Sequence, residues 1–220
     1  MTITHDTDRL VEETRKYIED KEINVILELG SRDGMQAIEF SHHYPNSTIY
    51  SFECNPHTIP TVKQKISKYQ NIKLYEYAVS DKTESIDFFP CSSNVGASSI
   101  YKPSGKYDRI EKYHLSDTVK VESIRLDRFL KDNDIGCVDL LFADLQGAEL
   151  KALIGLGEYL KDIKSMQVEV EFEEMYQDQP LFDEVNNFLT NNNFKMTWQG
   201  KYCKDFWGEG IYINNNYIGD

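Results

Sequence analysis

Cysteine is scarce and scattered in this chain. Cys54, Cys91, Cys137 and Cys203 lie far apart and form no C-x-x-C pair. That removes the spacing expected of a zinc site, a dithiol redox centre or a disulfide framework, and leaves reduced, space-filling thiols as the expectation. No apolar run approaches the length of a membrane span, and residues 1–9 are polar, without the apolar core of an export signal. A cytoplasmic protein with no membrane partner is therefore expected. Positive charge is also in short supply: 24 Lys and Arg against 37 Asp and Glu give a net charge of −13. A field of that sign opposes a long nucleic-acid groove, so no nucleic-acid partner is expected, although a local basic pocket stays open. Internal repeats and linkers are missing as well, and residues 1–220 read as one domain.

What the chain does have is a core. Hydrophobic residues make up 40% and aromatic residues 12% of its 220 positions, enough for a full-sized interior. The most informative stretch is Val25-Ile26-Leu27-Glu28-Leu29-Gly30-Ser31-Arg32-Asp33-Gly34. Four of its first five residues are apolar, as in a strand buried on both faces. Two glycines follow, and residues 35–44 then read as a helix. A strand, a glycine bend and a helix N-terminus let a nucleotide-like ligand lie against bare backbone. The second strand, Thr48-Ile49-Tyr50-Ser51-Phe52, ends in Glu53, 19 residues beyond Gly34. An acid at that distance and position meets a ribose diol.

The glycine spacing bears on the ligand. A dinucleotide fold wants G-x-G-x-x-G, with its later glycines admitting the pyrophosphate. Here Arg32 stands where a middle glycine could sit, and Glu28 closes the strand. An acid there repels phosphate and suits a ligand carrying an ammonium group. S-adenosylmethionine has that group, and a ribose for Glu53. The alternative is a plain structural turn.

The remaining elements follow in order. Residues 7–20 have the spacing of an amphipathic helix packed over a sheet edge. A helix starts near Thr58 with Val62, Ile66 and Tyr69 on one face, and residues 71–79 read as a third strand. Residues 84–89 form a short extra strand. Residues 90–118, rich in Ser, Gly, Tyr and charge, have no period and read as a substrate loop or lid. A strand over 119–124 and a short helix over 126–131 come next. An apolar strand over 137–144 then ends in Asp144, followed by a helix over 147–161, a strand over 164–172, a helix around 182–189 and a closing antiparallel pair at 194–198 and 210–213. The order predicts an α/β sheet, mainly parallel, with a reversed strand near its end.

Ligands in such sheets bind beyond the carboxyl ends of the strands. This brings Glu28 and Gly30, Glu53, Ala78 and Val79, and Asp144 to one rim. Asp144 either faces that cleft, able to accept a hydroxyl proton, or caps the next helix. Glu149 fits a first-turn acid favoured by the helix dipole. Glu169, Glu171 and Glu173 alternate with Val168, Val170 and Phe172, so that face opens on a cavity or the strand lies near an edge. Glu171 is thereby a candidate catalytic acid. Asp144 with Glu171 is also a pair of oxygen ligands that Mg2+ accepts, though two acids are too few to define a metal. His114, near Tyr101, Tyr107 and Tyr113 in the irregular loop, has a suitable pKa for a general base, or is a surface residue. The segment Trp207-Gly208-Glu209-Gly210 either lines the pocket or packs on the sheet.

Six segments in sequence order resemble the FkbM family of S-adenosylmethionine-dependent methyltransferases. They are 28–34, with Arg32 where Asn is usual; Phe52-Glu53-Cys54-Asn55-Pro56, with Cys54 for proline; Ala78-Val79-Ser80-Asp81; 94–99; Ser123-Ile124-Arg125-Leu126-Asp127; and 141–149, where Gln146 replaces the first Glu of Asp-x-Glu-Gly-x-Glu. The resemblance spans residues 25 to about 172. It implies a class I, Rossmann-like methyltransferase fold: a mainly parallel seven-stranded sheet with helices on both faces and a reversed C-terminal strand. It also implies a bound methyl donor and an O-methyl product. By the same likeness Glu28, Gly30 and Gly34 are donor contacts, Glu53 the ribose ligand and Asp144 an active-site acid. Ser31, Arg32, Asp33 and Cys54 are expected beside them on the donor, Ala78 and Val79 flank its adenine, and Asp144 is a further candidate for its amino group. The expected acceptor is a small molecule or glycan, such as a sugar hydroxyl or a glycosylated or polyketide-like metabolite. The rivals are a nicotinamide-dependent oxidoreductase and a non-catalytic donor-binding module. Nothing in the sequence sets the oligomeric state.

Overall fold

The computed structural model describes residues 6–105, 114–203 and 205–219. Its frame is a seven-stranded sheet made of β1 (Val25–Leu29), β2 (Thr48–Phe52), β3 (Ile72–Tyr75), β7 (Leu140–Ala143), β8 (Ser165–Glu171), β9 (Phe194–Tyr202) and β10 (Trp207–Asn214), in the order β3-β2-β1-β7-β8-β10-β9. β1 pairs in parallel with β2 and β7, and β7 with β8. β10 alone is reversed, antiparallel to both β8 and β9. The chain therefore reverses direction in the sheet order at β1, which puts a crevice beyond the ends of β1 and β7.

Helices cover both faces, because alternate residues of the central strands point into two separate apolar layers. Leu27, Leu29, Leu141 and Ala143 face one layer with Leu126, Phe129, Leu153, Val185 and Leu189. These belong to α4 (Leu126–Asp132), α5 (Glu149–Gly155) and α6 (Phe182–Asn191). Ile26, Ile49, Leu140 and Phe142 face the other layer with Leu10, Phe40, Val62 and Ile66, from α1 (Asp6–Thr14), α2 (Met35–His43) and α3 (Ile59–Ile66).

Four elements depart from the sequence reading. The N-terminal helix is shorter and packs under the central strands, not over a sheet edge: Thr14 Oγ1 meets Ser165 Oγ of β8 at 2.7 Å. The third strand breaks at Glu76 and Tyr77. Its end, β4 (Ala78–Val79), leaves the main sheet to pair with β6 (Val119–Ile124), which also pairs with β5 (Ser85–Phe88). The helix after Asp144 stops at Gly155 and continues as a 3-10 segment, Gly157–Asp162. Gly157 has φ +53°, which an α-helix cannot absorb. The closing hairpin runs further than its apolar residues suggest, because backbone pairing continues through Gly200, Gly208 and Gly210.

Candidate active site

At the crevice, β1, β2 and β7 are fastened end to end by their own backbones. Gly30 and Ser31 both donate to the Phe52 carbonyl at 3.0 Å, and Asp144 N donates to the Leu29 carbonyl at 3.0 Å. Gly30 (φ +89°) has to be glycine here: a Cβ would stand 2.0 Å from the Asp144 carbonyl oxygen. Arg32 follows in the left-handed region at φ 52°. Its amide donates to Glu53 Oε2 at 2.6 Å, while Asn55 N donates to Oε1 at 2.7 Å. One carboxylate thereby joins the loops after β1 and β2. Burial raises the Glu53 carboxyl, and the amide bonds pull it back down.

The cleft formed there encloses about 620 Å³ with its open mouth included. Gly30, Arg32, Glu53 and Cys54 line one side, and Tyr77, Ala78, Val79 and Phe88 make an apolar wall. Asp144, Leu145 and Gln146 form the floor toward β7, and Val95, Gly96, Ser98 and Ile100 close the remaining side. The structure thus brings Gly30, Arg32, Glu53, Cys54, Ala78, Val79 and Asp144 to one place. Burial pushes the Cys54 thiol well up. The irregular loop contributes through a short 3-10 turn, Val95–Ala97, whose Asn94 Oδ1 accepts from Gly96 N at 3.1 Å.

Other sequence candidates lie behind the wall. Glu28 is fully buried and does not line the cleft; Ser51 Oγ donates to its Oε2. Burial pushes this carboxyl up to about 8, against the Ser51 and Ser31 hydroxyls that pull it down. Asp33 turns outward to Lys65 at 2.7 Å. Gly34 (φ +81°) starts α2 and packs against Val62 and Ile66. Glu28, Ser31, Asp33 and Gly34, all expected as donor contacts, are not among the residues that line the cleft.

The catalytic candidates separate. Asp144 is in the cleft, and it does not cap α5, whose first turn has no side-chain cap. His114 is exposed and absent from the cleft wall, held through its backbone by Ser92 and Ser93. Tyr107 and Tyr113 lie outside the described residues. Glu171 is buried (3% exposed) beside the cleft and not in its wall. The acidic alternation of β8 marks neither an edge nor a surface. β7 pairs with β8 only as far as Val168, so Glu169 and Glu171 stand beyond it, paired with Glu209 and Trp207 of β10. Trp207 packs with Cys91, Ala97, Met175 and Tyr176, not in the cleft.

This leaves a concentration of acids next to Asp144. Glu149 does more than favour a helix dipole: it is buried, accepts from Leu145 N at 2.5 Å, and is pushed up to about 8 by burial. Glu169 and Glu171 are pushed well up, by burial first and then by the neighbouring carboxylates. Among the described residues no three Asp, Glu, His or Cys side chains converge as a metal-ion set, so Asp144 with Glu171 lacks the further ligands a Mg2+ site needs. No helix among those residues is long and apolar enough to cross a membrane. Sequence reasoning missed two residues here. Gln146 was noted only as a departure from the family signature, yet its amide joins Asp144 to Glu169. Tyr176, which bonds Gln146, sits in a segment with no period or motif to mark it.

A mainly parallel sheet with one reversed strand, and a cleft at its switch point walled by a glycine bend and a strand-end acid, define the class. This is the Rossmann-like fold of class I S-adenosylmethionine-dependent methyltransferases. The Methyltransferase FkbM domain model matches residues 28–196, and the chain belongs to that family. It is 27% identical over 161 residues to the 2-O-methyltransferase NoeI of Sinorhizobium fredii, covering 70% of this chain and 66% of that protein, just under two thirds of the relative's length. Among solved structures, an rRNA methylase from Streptococcus thermophilus superposes with TM-score 0.55 at 9% identity, over 97% of this chain and 99% of that one. Aeropyrum pernix fibrillarin, in complex with natively bound S-adenosyl-L-methionine, gives TM-score 0.50 at 11% identity over 86% and 66% of the two chains. At these identities the likeness is one of fold.

Proposed function

We propose that the protein transfers the methyl group of S-adenosylmethionine to a hydroxyl of a sugar or of a glycosylated small molecule. The observation that carries this reading is the Glu53 carboxylate. It is 7% exposed at the lip of the cleft and held by two backbone amides, one from the glycine bend and one from the loop after β2, where a ribose diol could reach its remaining lone pairs. The residues fit such a donor. Gly30 keeps the backbone bare, and Ala78 and Val79 with Tyr77 and Phe88 offer an apolar slot for a purine. When bound, the donor supplies an already electrophilic methyl carbon. The chain then has to align the acceptor and take up its hydroxyl proton, a role we assign to Asp144, which lines the cleft at the end of β7. Transfer to an oxygen is supported by the family relative NoeI, a 2-O-methyltransferase. The charge of −13 argues against a nucleic-acid acceptor, and the protein is read as a single domain.

Calorimetry with S-adenosylmethionine and with nicotinamide dinucleotides, followed by S-adenosylhomocysteine release over a panel of methyl pyranosides, tests this. Binding and turnover with the first donor are expected. Tighter binding of the dinucleotide would favour the oxidoreductase, and donor bound without turnover on any alcohol would leave a binding module.

A further inference from the structure

Gln146 stands at the seam between the cleft and the acid-bearing end of β8. Its Nε2 donates to Asp144 Oδ1 at 2.8 Å and to Glu169 Oε2 at 2.6 Å. Its Oε1 accepts from the Tyr176 hydroxyl at 2.8 Å, and its backbone carbonyl accepts from Ser99 Oγ at 2.7 Å. Tyr176 is 1% exposed, and its single hydroxyl proton is shared between Gln146 Oε1 and the Ala97 carbonyl oxygen 3.2 Å away. Both ends of one side-chain amide are used, and the backbone that carries it is held in the left-handed region at φ 53°. A residue without a glycine's freedom keeps such a conformation where its surroundings determine it.

We infer that Gln146 is a positioning residue for proton uptake at Asp144: its amide clamps Asp144 and Glu169 into one unit and, through Tyr176, ties that unit to the 94–99 turn walling the cleft. The inference rests on the reading that Asp144 receives the acceptor's proton. The choice of an amide follows from what surrounds Asp144. Glu149 approaches from α5, and Glu169 and Glu171 from β8, with Glu209 of β10 in register with Glu169. The hydroxyl of Tyr176 closes the group, and Arg32 lines the same cleft. A cation in place of Gln146 would pair with Asp144 and weaken it as a base. A carboxyl would add a further negative charge or demand another proton. An amide supplies two N–H donors and no charge, so it fixes the direction of both acids without neutralising either.

The test is a carboxyl-13C NMR titration of the full chain with labelled Asp and Glu, the Asp144 signal being assigned by its loss in Asp144→Asn. Gln146→Glu keeps the shape, removes both donors and adds a charge. The Asp144 midpoint is expected to rise by about one pH unit or more. Gln146→Met, uncharged and of similar length, removes the donors only, and a smaller rise in the same direction is expected. Tyr176→Phe should leave the Asp144 midpoint in place and speed amide hydrogen exchange of residues 94–99 by about tenfold. An Asp144 midpoint unmoved in the two Gln146 variants, or unchanged exchange in Tyr176→Phe, overturns the inference. S-adenosylmethionine affinity measured on wild-type protein separates the two readings: failure to bind refutes the methyl-donor proposal, while the titration still decides whether the clamp exists.

Discussion

A methyl group placed on Gly30 would lie 2.0 Å from the carbonyl oxygen of Asp144. The floor of the cleft is therefore a backbone-to-backbone approach between the ends of two adjacent strands, and the position of the proposed base depends on a residue that contributes no side chain. Gly30→Ala must move β1 away from β7 and also hold alanine at φ +89°. Together these cost about 3 kcal/mol. For a chain of this size a fall in Tm of roughly 6–12 °C is expected by calorimetry, together with loss of donor affinity in the material that stays folded. A variant with wild-type Tm and affinity would mean that the strand ends are not held this closely.

Glu53 invites a sharper experiment than its removal. Glu53→Ala should weaken S-adenosylmethionine binding by at least about tenfold. The same change, however, frees the amides of Arg32 and Asn55, so weakened binding could come from a disturbed loop. Comparing adenosine with 2′-deoxyadenosine as competitors separates the two effects. The wild-type protein should prefer adenosine, and the preference should collapse in Glu53→Ala, because only the ribose contact distinguishes the ligands. A preference of equal size in both proteins removes Glu53 as the ribose acceptor.

The frame of this site was legible because its strands are buried on both faces. β1 and β2 were read from the sequence at their observed bounds, since four apolar residues in five mark β1 and Ile49, Tyr50 and Phe52 mark β2. The acids at their ends were found by distance along the chain. Two things were not legible, each for a physical reason. Glu28 carries the family motif, but the motif does not say which way a side chain at a strand's penultimate position points. It points into the α2 side of the sheet, under the bend. The second concerns β8. Alternating Val and Glu reads as a half-exposed strand, yet Glu171 is buried and Glu169 half-buried beyond the end of β7, where Gln146, itself bonded to Tyr176, reaches Glu169 from another part of the chain. That enclosure depends on long-range packing, and no local period encodes it.

The buried acids also predict how stability responds to pH. Burial raises Glu28 and Glu149 to about 8 in the folded protein, and Glu169 and Glu171 move the same way. In the unfolded chain each returns to the ordinary carboxyl range near 4.3. Between those limits the folded state holds protons that the unfolded state has lost, so unfolding releases protons and stability falls as pH rises. The stabilising contribution is complete below about pH 4.3 and disappears through about pH 8, on the order of a few kcal/mol for each fully enclosed group. At the acid end Asp20 and Asp127, lowered by their bonds to Arg15 and Arg125, act in the opposite sense, but both pairs are largely solvated and contribute little. Thermal scans should therefore give the highest Tm near pH 5 and a steady decline to pH 9. Glu28→Gln keeps a neutral group that can still accept from Ser51, so its Tm should decline less over the same range. A wild-type Tm that is flat or rises from pH 5 to pH 8 would show that these carboxyls are ionised in the fold, and the enclosure assigned to them would be wrong.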